Sequence, residues 1–246
     1  MSLCNVEGIE MEIRLQPSLL LEITRRCNNK CPHCLRGAQQ QKDMSEAVIN
    51  LVTSRFTPDE IFFTGGEPTL APDLIRYATM TSRAIEISMV TNGTMSRKWK
   101  ETLEELLQMI DVAIDVSEDQ FHPERRNDYS DFMDWKRFTY TSRGRITRIL
   151  SEGNARIHGM GWDKPIDGMI EDIDYEDDVY YLTASIYVNV DGNIISGCDY
   201  SYKNQNKHIV SNVYKEYDEI VQDIATYCSN QLMACYLKNQ AEKEYA

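Results

Sequence analysis

Three cysteines follow directly after a short apolar segment. The segment, SLLLEI, covers residues 18–23, and Cys27, Cys31 and Cys34 come next in the pattern C-NNK-C-PH-C. Four thiolates normally hold an iron–sulfur cube. Three thiolates with no fourth cysteine nearby leave one iron open to another ligand. The spacing therefore predicts a loop that wraps a metal centre at which a small molecule is bound and activated.

A second apolar run, residues 61–64, leads into Gly65-Gly66-Glu67-Pro68. Two glycines allow the backbone to approach a ligand closely, and proline fixes the exit of the turn. Glu67 supplies an acceptor for an ammonium group, in a charge-assisted and therefore strong hydrogen bond. The segment predicts a second ligand-binding loop after a second strand.

Strand-like and helix-like segments alternate through the first two thirds of the chain. Asp43-x-x-Glu46 has the pattern of a capping box and predicts a helix to about residue 55. Further strands are expected at 60–64, 85–90, 110–116 and 146–150, and further helices at 72–83, 96–109 and 129–140. Repeated βα units indicate parallel strands, which place ligands in the loops beyond their carboxyl ends. The cysteine loop, the Gly-Gly-Glu-Pro loop, Thr-Asn-Gly and SEDQFHP should therefore share one rim.

The last third of the chain lacks the regular alternation of strand-like and helix-like segments. Residues 163–178 are acidic and weakly patterned, which indicates a surface loop or linker. Residues 184–195 predict a β-hairpin around Asp-Gly-Asn, and a helix from about residue 213 carries an apolar stripe that includes Cys228 and Cys235. Both cysteines are expected to pack in the core.

The composition limits the function. At 246 residues the chain suits one domain of α/β-barrel size, or a domain with an appendage. A net charge of −13 disfavours a protein whose main task is to bind nucleic acid. No apolar segment has the length of a signal peptide or a membrane span. Seven cysteines without disulfide-like spacing favour a reducing location, so we expect a soluble cytoplasmic metalloprotein with no membrane partner.

CxxxCxxC after the first strand and GGEP after the second resemble the radical S-adenosylmethionine (radical SAM) enzymes. The resemblance covers residues 18–160 well. It implies an α/β fold, a partial (β/α)6 barrel with a small C-terminal hairpin-plus-helix extension. It also implies a [4Fe-4S] cluster that donates an electron to S-adenosylmethionine. The resulting 5′-deoxyadenosyl radical takes a hydrogen atom from an organic substrate. A flavodoxin or ferredoxin-type electron donor is implied as partner.

The same resemblance implies roles for single residues. The cluster ligands are Cys27, Cys31 and Cys34, and the residues expected to contact the cofactor are His33, Gly65, Gly66, Glu67, Asn92, Ser117 and Asp119. Of these, His33 would lie against the adenine, Glu67 would hold the methionyl amine, and Ser117 and Asp119, in an SxDxFHP-like segment, would bond the ribose. The alternatives are an exposed loop histidine, a plain turn at Asn92 and helix capping by Ser117 or Asp119.

The catalytic residues are less determined. Candidates for contact with the substrate are Cys198, at the end of the predicted hairpin, His122 and Arg156. Arg156 lies in a segment similar to the family's GRA-like segment, with Asn154 where arginine is usual. Ordinary surface positions are the alternative for His122 and Arg156.

The C-terminal segment resembles the start of a SPASM or Twitch extension, but the expected CxxC pair is missing. We therefore divide the chain into a lead-in (1–17), a barrel (18–178) and an extension (179–246) without an auxiliary cluster. The SPASM-like stretch favours a peptide substrate. The alternatives are a nucleoside or another small molecule, and, from another class, a non-catalytic iron–sulfur or zinc module with His33 as a zinc ligand. A glycyl-radical activase is disfavoured because Asp-Val-Ser (115–117) stands where DxK is expected.

Overall fold

The computed structural model describes residues 2–81, 84, 86–93, 101, 104–105, 112–119, 138–139, 142–144 and 149–244, and the statements below refer to these. The strands in this part are β1 Ser2–Val6, β2 Ile9–Thr24, β3 Glu60–Gly65, β4 Glu86–Thr91, β5 Val112–Val116, β6 Glu118–Asp119, β7 Phe138–Thr139, β8 Ser142–Gly144, β9 Ile170–Glu176, β10 Val179–Val188, β11 Asn193–Ile195 and β12 Ile209–Asn212. The helices are α1 Glu46–Arg55, α2 Leu74–Met80, α3 Gly153–Ile157, α4 Tyr217–Tyr227 and α5 Ser229–Glu244. None of the helices in the described part is long and apolar enough to cross a membrane.

Six parallel strands form the centre of the molecule, in the order β10-β2-β3-β4-β5-β7. Strands β11 and β12 extend the sheet beyond β10 with antiparallel pairing, and β1 and β9 pair antiparallel with β2 and β10. Buried aliphatic side chains from β2 to β5 form the core against the helices. The α/β fold class with a partial parallel barrel is confirmed.

Strand β2 is much longer than the strand expected at 18–23. Its first half alternates, with Met11, Ile13 and Leu15 buried and the residues between them exposed. That alternation is the pattern of a strand with one solvated face. Because this half pairs with β1 on one side and β10 on the other, the segment ahead of residue 18 belongs to the main sheet.

The helix after the cysteine loop starts differently from the expectation. Ser45, not Asp43, is the N-cap of α1, and its side chain accepts a hydrogen bond from Val48 N–H. The carboxylate of Asp43 instead accepts hydrogen bonds from Thr24 and Arg26, at the start of the cysteine loop. The local capping signal at Asp43 was overridden by a charged partner distant in sequence.

Two expectations for the last third were wrong. Residues Ile170–Glu176 form β9 instead of a loop, because a hairpin with β10 satisfies their backbone and covers their half-buried apolar side chains. The closing helix is two helices, α4 and α5, with Cys228 as the C-cap of α4. Cys228 is 2% exposed and Cys235 packs against the same core, which confirms core packing for both. The hairpin of β10 and β11 is confirmed.

The carboxyl ends of the parallel strands lie on one rim. Strands β2, β3, β4 and β5 end at Thr24, Gly65, Thr91 and Val116, and the four loops singled out in the sequence follow directly. The expected strand at 146–150 lies outside the described residues except for its end, where Leu150 forms a bridge with Asp163. The rim therefore carries the candidate site.

Replacement of Gly66 by alanine should destabilise the protein strongly. A β-carbon at this position would stand 2.2 Å from the backbone oxygen of Arg26, and the backbone must move to accept it, at a cost of about 1–3 kcal/mol or more. The matched control is Gly168→Ala, whose β-carbon meets nothing within 4 Å. Urea unfolding of both variants measures the difference; equal midpoints would contradict the packing described here.

Candidate active site

The two glycines of the second loop lie against the chain that enters the cysteine loop. Gly66 N–H donates to Thr24 O (2.9 Å) and Glu67 N–H donates to Arg26 O (2.7 Å). A β-carbon on Gly65 would stand 2.1 Å from the oxygen of Thr24. The glycines thus permit close packing of two backbones, which is a different use from the expected approach to a ligand. Their contact with a cofactor amine stays a prediction.

Glu67 joins three of the rim segments. Its side chain is completely buried, and Oε1 accepts hydrogen bonds from Thr69 and from the hydroxyl of Thr91 (2.6 Å), while Oε2 accepts one from Asn92 N–H (2.6 Å). Burial raises the pKa of Glu67, and these hydrogen bonds act against that rise. The carboxylate therefore fixes the Thr-Asn-Gly loop relative to the Gly-Gly-Glu-Pro loop.

Asn92 reaches the cysteine loop. Its Nδ2 donates to Asn28 Oδ1 (2.8 Å) and approaches Cys27 Sγ at 3.8 Å. Burial is the main cause that raises the pKa of Cys27, whereas hydrogen bonds from Asn29 N–H and Asn92 lower it. The sequence placed Asn92 at the cofactor pocket, and the structure places it beside the first cysteine.

Cys27, Cys31 and Cys34 are half-buried, form no disulfide, and line one small cavity of about 40 Å³. Among the described residues, no three His, Cys, Asp or Glu side chains come close enough together to hold a single metal ion. A cube takes each thiolate at a separate iron. The thiol donor set fits an iron–sulfur cluster.

Helix α3 also contacts the cysteine loop. Asn154 N–H donates to Cys34 O (2.9 Å), and its Nδ2 donates to Cys31 O (3.1 Å). Gly153 has φ +51°, and a β-carbon there would stand 2.3 Å from Leu35 O. Arg156, a sequence candidate for substrate contact, is exposed on the same helix. Asn154, which stands where arginine is usual in the GRA-like segment, therefore bonds to the cysteine loop.

Residues 198–205, which we call the cover segment, lie across the cysteine loop. Arg36 Nη1 donates to Tyr200 O (2.8 Å), and Tyr202 N–H donates to Arg36 O (3.2 Å). Glu152, next to α3, accepts hydrogen bonds from Ser201 N–H (3.1 Å) and from the Asn204 amide (2.9 Å). Burial acts to raise the pKa of Glu152, but these hydrogen bonds outweigh it and the pKa is lowered. The C-terminal third is therefore part of the cysteine site.

A buried ion pair connects β2 to the cover segment. Glu22, completely buried, accepts from Arg25 Nε (2.6 Å), and Arg25 Nη2 donates to Gln205 Oε1 (2.7 Å). The amide of Gln205 and the hydroxyl of Tyr187 both donate to Glu22 Oε2. Sequence reasoning missed this network, although an acidic residue inside the otherwise apolar SLLLEI strand indicates a buried partner.

The remaining residues predicted to bind the cofactor or the substrate differ in how exposed they are. His33 is half-buried between the second and third cysteines. Ser117 is half-buried, and its N–H donates to Thr91 O (2.8 Å). Cys198 is exposed at the start of the cover segment. His122 and the side chain of Asp119 lie outside the described residues.

Glu22→Ala should lower the free energy of unfolding by about 3–5 kcal/mol, because Arg25 would remain buried without its carboxylate. The control is Lys42→Ala, which removes a pair with Asp191 in which both side chains are about 40% exposed and whose loss should cost less than about 1 kcal/mol. Chemical denaturation of the two variants tests this. A similar, small loss in both would mean that the network does not hold the cover segment.

Several known proteins are similar to part of this chain. A probable GTP 3′,8-cyclase from Methanocella arvoryzae is 31% identical over 148 residues, which cover 57% of this chain and 43% of that protein. Fe-coproporphyrin III synthase from Methanosarcina barkeri is 33% identical over 110 residues, which cover 41% and 27%. The matched part thus spans less than half of each of these relatives.

Among solved structures, Streptococcus suis SuiB is similar with a TM-score of 0.54 at 11% sequence identity, covering 90% of this chain and 68% of that one. At that identity the similarity concerns the fold. The model of the radical SAM superfamily matches residues 21–155, more than half of the chain. The chain belongs to the radical SAM superfamily, whose members are enzymes that use a [4Fe-4S] cluster and S-adenosylmethionine.

Proposed function

We propose that this chain cleaves S-adenosylmethionine reductively at a [4Fe-4S] cluster held by Cys27, Cys31 and Cys34, and that it abstracts a hydrogen atom from an organic substrate. One observation carries the proposal: the three thiols line a single cavity. Backbone and side-chain contacts from the Gly-Gly-Glu-Pro loop, Asn92, α3 and the cover segment fix the loop that carries them.

The bound cluster supplies the electron that breaks a carbon–sulfur bond of the sulfonium. The protein binds and orients the cofactor. We assign the methionyl amine to the Gly65-Gly66-Glu67 loop, since this loop follows β3 on the rim and its backbone is bonded to the start of the cysteine loop. His33 is assigned to the adenine, and Asn92 to the pocket wall.

Ser117 and Asp119 are assigned to the ribose, because their segment follows β5 on the same rim. Cys198, His122 and Arg156 remain our candidates for contact with the substrate. We retain the division into lead-in, barrel and extension (1–17, 18–178 and 179–246) as part of the proposal, with no auxiliary cluster in the extension.

A peptide is the substrate we favour. Three large apolar side chains are exposed between the last residue of α3 and the start of β9: Ile157 (77%), Trp162 (63%) and Ile166 (56%). Ile166 N–H also contacts Asp199 of the cover segment. Exposed apolar side chains near a site are typical of surfaces that bind another chain.

A nucleoside or small molecule is the second candidate. It is supported by the similarity to proteins named GTP 3′,8-cyclase. A triphosphate would require cations at the site, and Arg36 in the cavity wall is one such group.

An acidic flavodoxin or ferredoxin-type protein is the electron donor we propose. Residues 25–42, which contain the cysteine loop, carry five basic residues and no acidic one in a chain of net charge −13. Complementary charge steers such an encounter. None of the seven cysteines forms a disulfide, which fits a reducing compartment, and we propose the cytoplasm.

Anaerobic reconstitution should give about four irons per chain, as one cube requires. With dithionite and S-adenosylmethionine, the loaded protein should produce 5′-deoxyadenosine. The combined change Cys27→Ala, Cys31→Ala and Cys34→Ala should abolish both, whereas Cys235→Ala should change neither. About eight irons would reveal a second cluster in the extension. Cleavage that survives the triple change would overturn the assignment of the site.

The substrate class is tested by product formation above the uncoupled rate. A pool of synthetic peptides should stimulate 5′-deoxyadenosine formation, and GTP should not. The double variant Ile157→Ser, Trp162→Ser should lose the stimulation by peptides and keep the uncoupled rate, because both side chains are exposed. Stimulation by GTP alone would replace the peptide with the nucleotide as substrate.

A further inference from the structure

Tyr202 places a buried hydroxyl group at the cysteine site. The residue is 6% exposed, and its Oη has no hydrogen-bond partner among the described protein groups. Buried hydroxyl groups in native proteins nearly always have a partner, because desolvation without one costs about 1–3 kcal/mol. The position of Tyr202 therefore calls for an acceptor that the described residues do not provide.

The cavity beside Tyr202 indicates what that acceptor is. Tyr202 lines the same cavity as Cys27, Cys31 and Cys34. The group that the three thiolates hold would share this cavity with the tyrosine, and it is therefore the nearest candidate for the acceptor of the Tyr202 hydroxyl.

Both the backbone and the ring of Tyr202 have a partner. The backbone N–H donates to Arg36 O, and the guanidinium carbon of Arg25 lies 4.6 Å from the ring centroid. Arg25 is in turn fixed by Glu22. A side chain fixed in this way keeps one direction, as a hydrogen-bond donor to a metal centre requires.

Tyr202 lies on the side of the third cysteine. Its backbone N–H is bonded to Arg36, two residues beyond Cys34, and both Tyr202 and Cys34 line the same cavity.

We propose that Tyr202 donates a hydrogen bond from Oη to a sulfur atom of the cluster on its Cys34 side. The inference rests on the proposed function, since it takes Cys27, Cys31 and Cys34 as the cluster ligands. Hydrogen bonds to the sulfurs stabilise the more negative, reduced state and raise the reduction potential. The cover segment would thereby set the potential as well as enclose the cysteine loop.

The test is an EPR-monitored redox titration of the reconstituted protein. Tyr202→Phe should make reduction of the cluster about tenfold less favourable, which is 59 mV for one electron. The control is Tyr200→Phe in the same segment, whose hydroxyl donates to Asp167 instead of facing the cysteine cavity. It should leave the potential unchanged. In D2O, the exchangeable-proton coupling of the reduced cluster that is present in the wild type should be lost in Tyr202→Phe only.

The proposed function and the hydrogen bond from Tyr202 are contradicted by different results. Iron content is measured first; a wild-type protein that binds no cluster contradicts the proposed function itself. Full iron content with the same potential and proton coupling in wild type and Tyr202→Phe overturns the inference and leaves the function standing. In that case Oη bonds to water or to another ligand. Weaker binding of S-adenosylmethionine with an unchanged potential overturns it too, and would assign the hydroxyl to the cofactor.

Discussion

The buried ion pair of Glu22 and Arg25 is the interaction on which the site depends. A charge at the end of a central strand is tolerated only with a close partner. Arg25, three residues further along, provides that partner and also bonds Gln205 of the cover segment. The pair therefore fixes the start of the cysteine loop and the position of the C-terminal third through a single carboxylate.

The loops on the rim are joined to one another by hydrogen bonds. Glu67 bonds Thr91 and Asn92, Asn92 bonds the cysteine loop, and Asn154 bonds the same loop from the other side. Each loop thus supplies the partners for its neighbour's buried polar groups. Because these hydrogen bonds form within the rim itself, they orient the cysteine loop, which lowers the entropy cost of binding a ligand.

The local sequence pattern predicted the parallel strands and their loops well, because each of these strands is an apolar run that is followed directly by glycine or polar residues. It placed Cys27 and Asn92 at one site because parallel strands end on one rim. It failed at Ile170–Glu176, where pairing with β10 stabilises a strand of acidic composition. It also passed over Tyr202, because its position follows from a hydrogen bond to Arg36, which is distant in the sequence. Such long-range contacts leave no periodic trace in the sequence.

The cover segment changes how the extension should be understood. Strand β10, where the extension begins, lies beside β2, and the cover segment supplies Tyr202 to the cavity of the three cysteines. A substitution in this segment therefore acts on the cysteine site through Arg36, Glu152 and Gln205. Similarity to relatives in the barrel alone describes only the cysteine loop and the strands that carry it. The segment that encloses that loop is contributed by this chain's own C-terminal third.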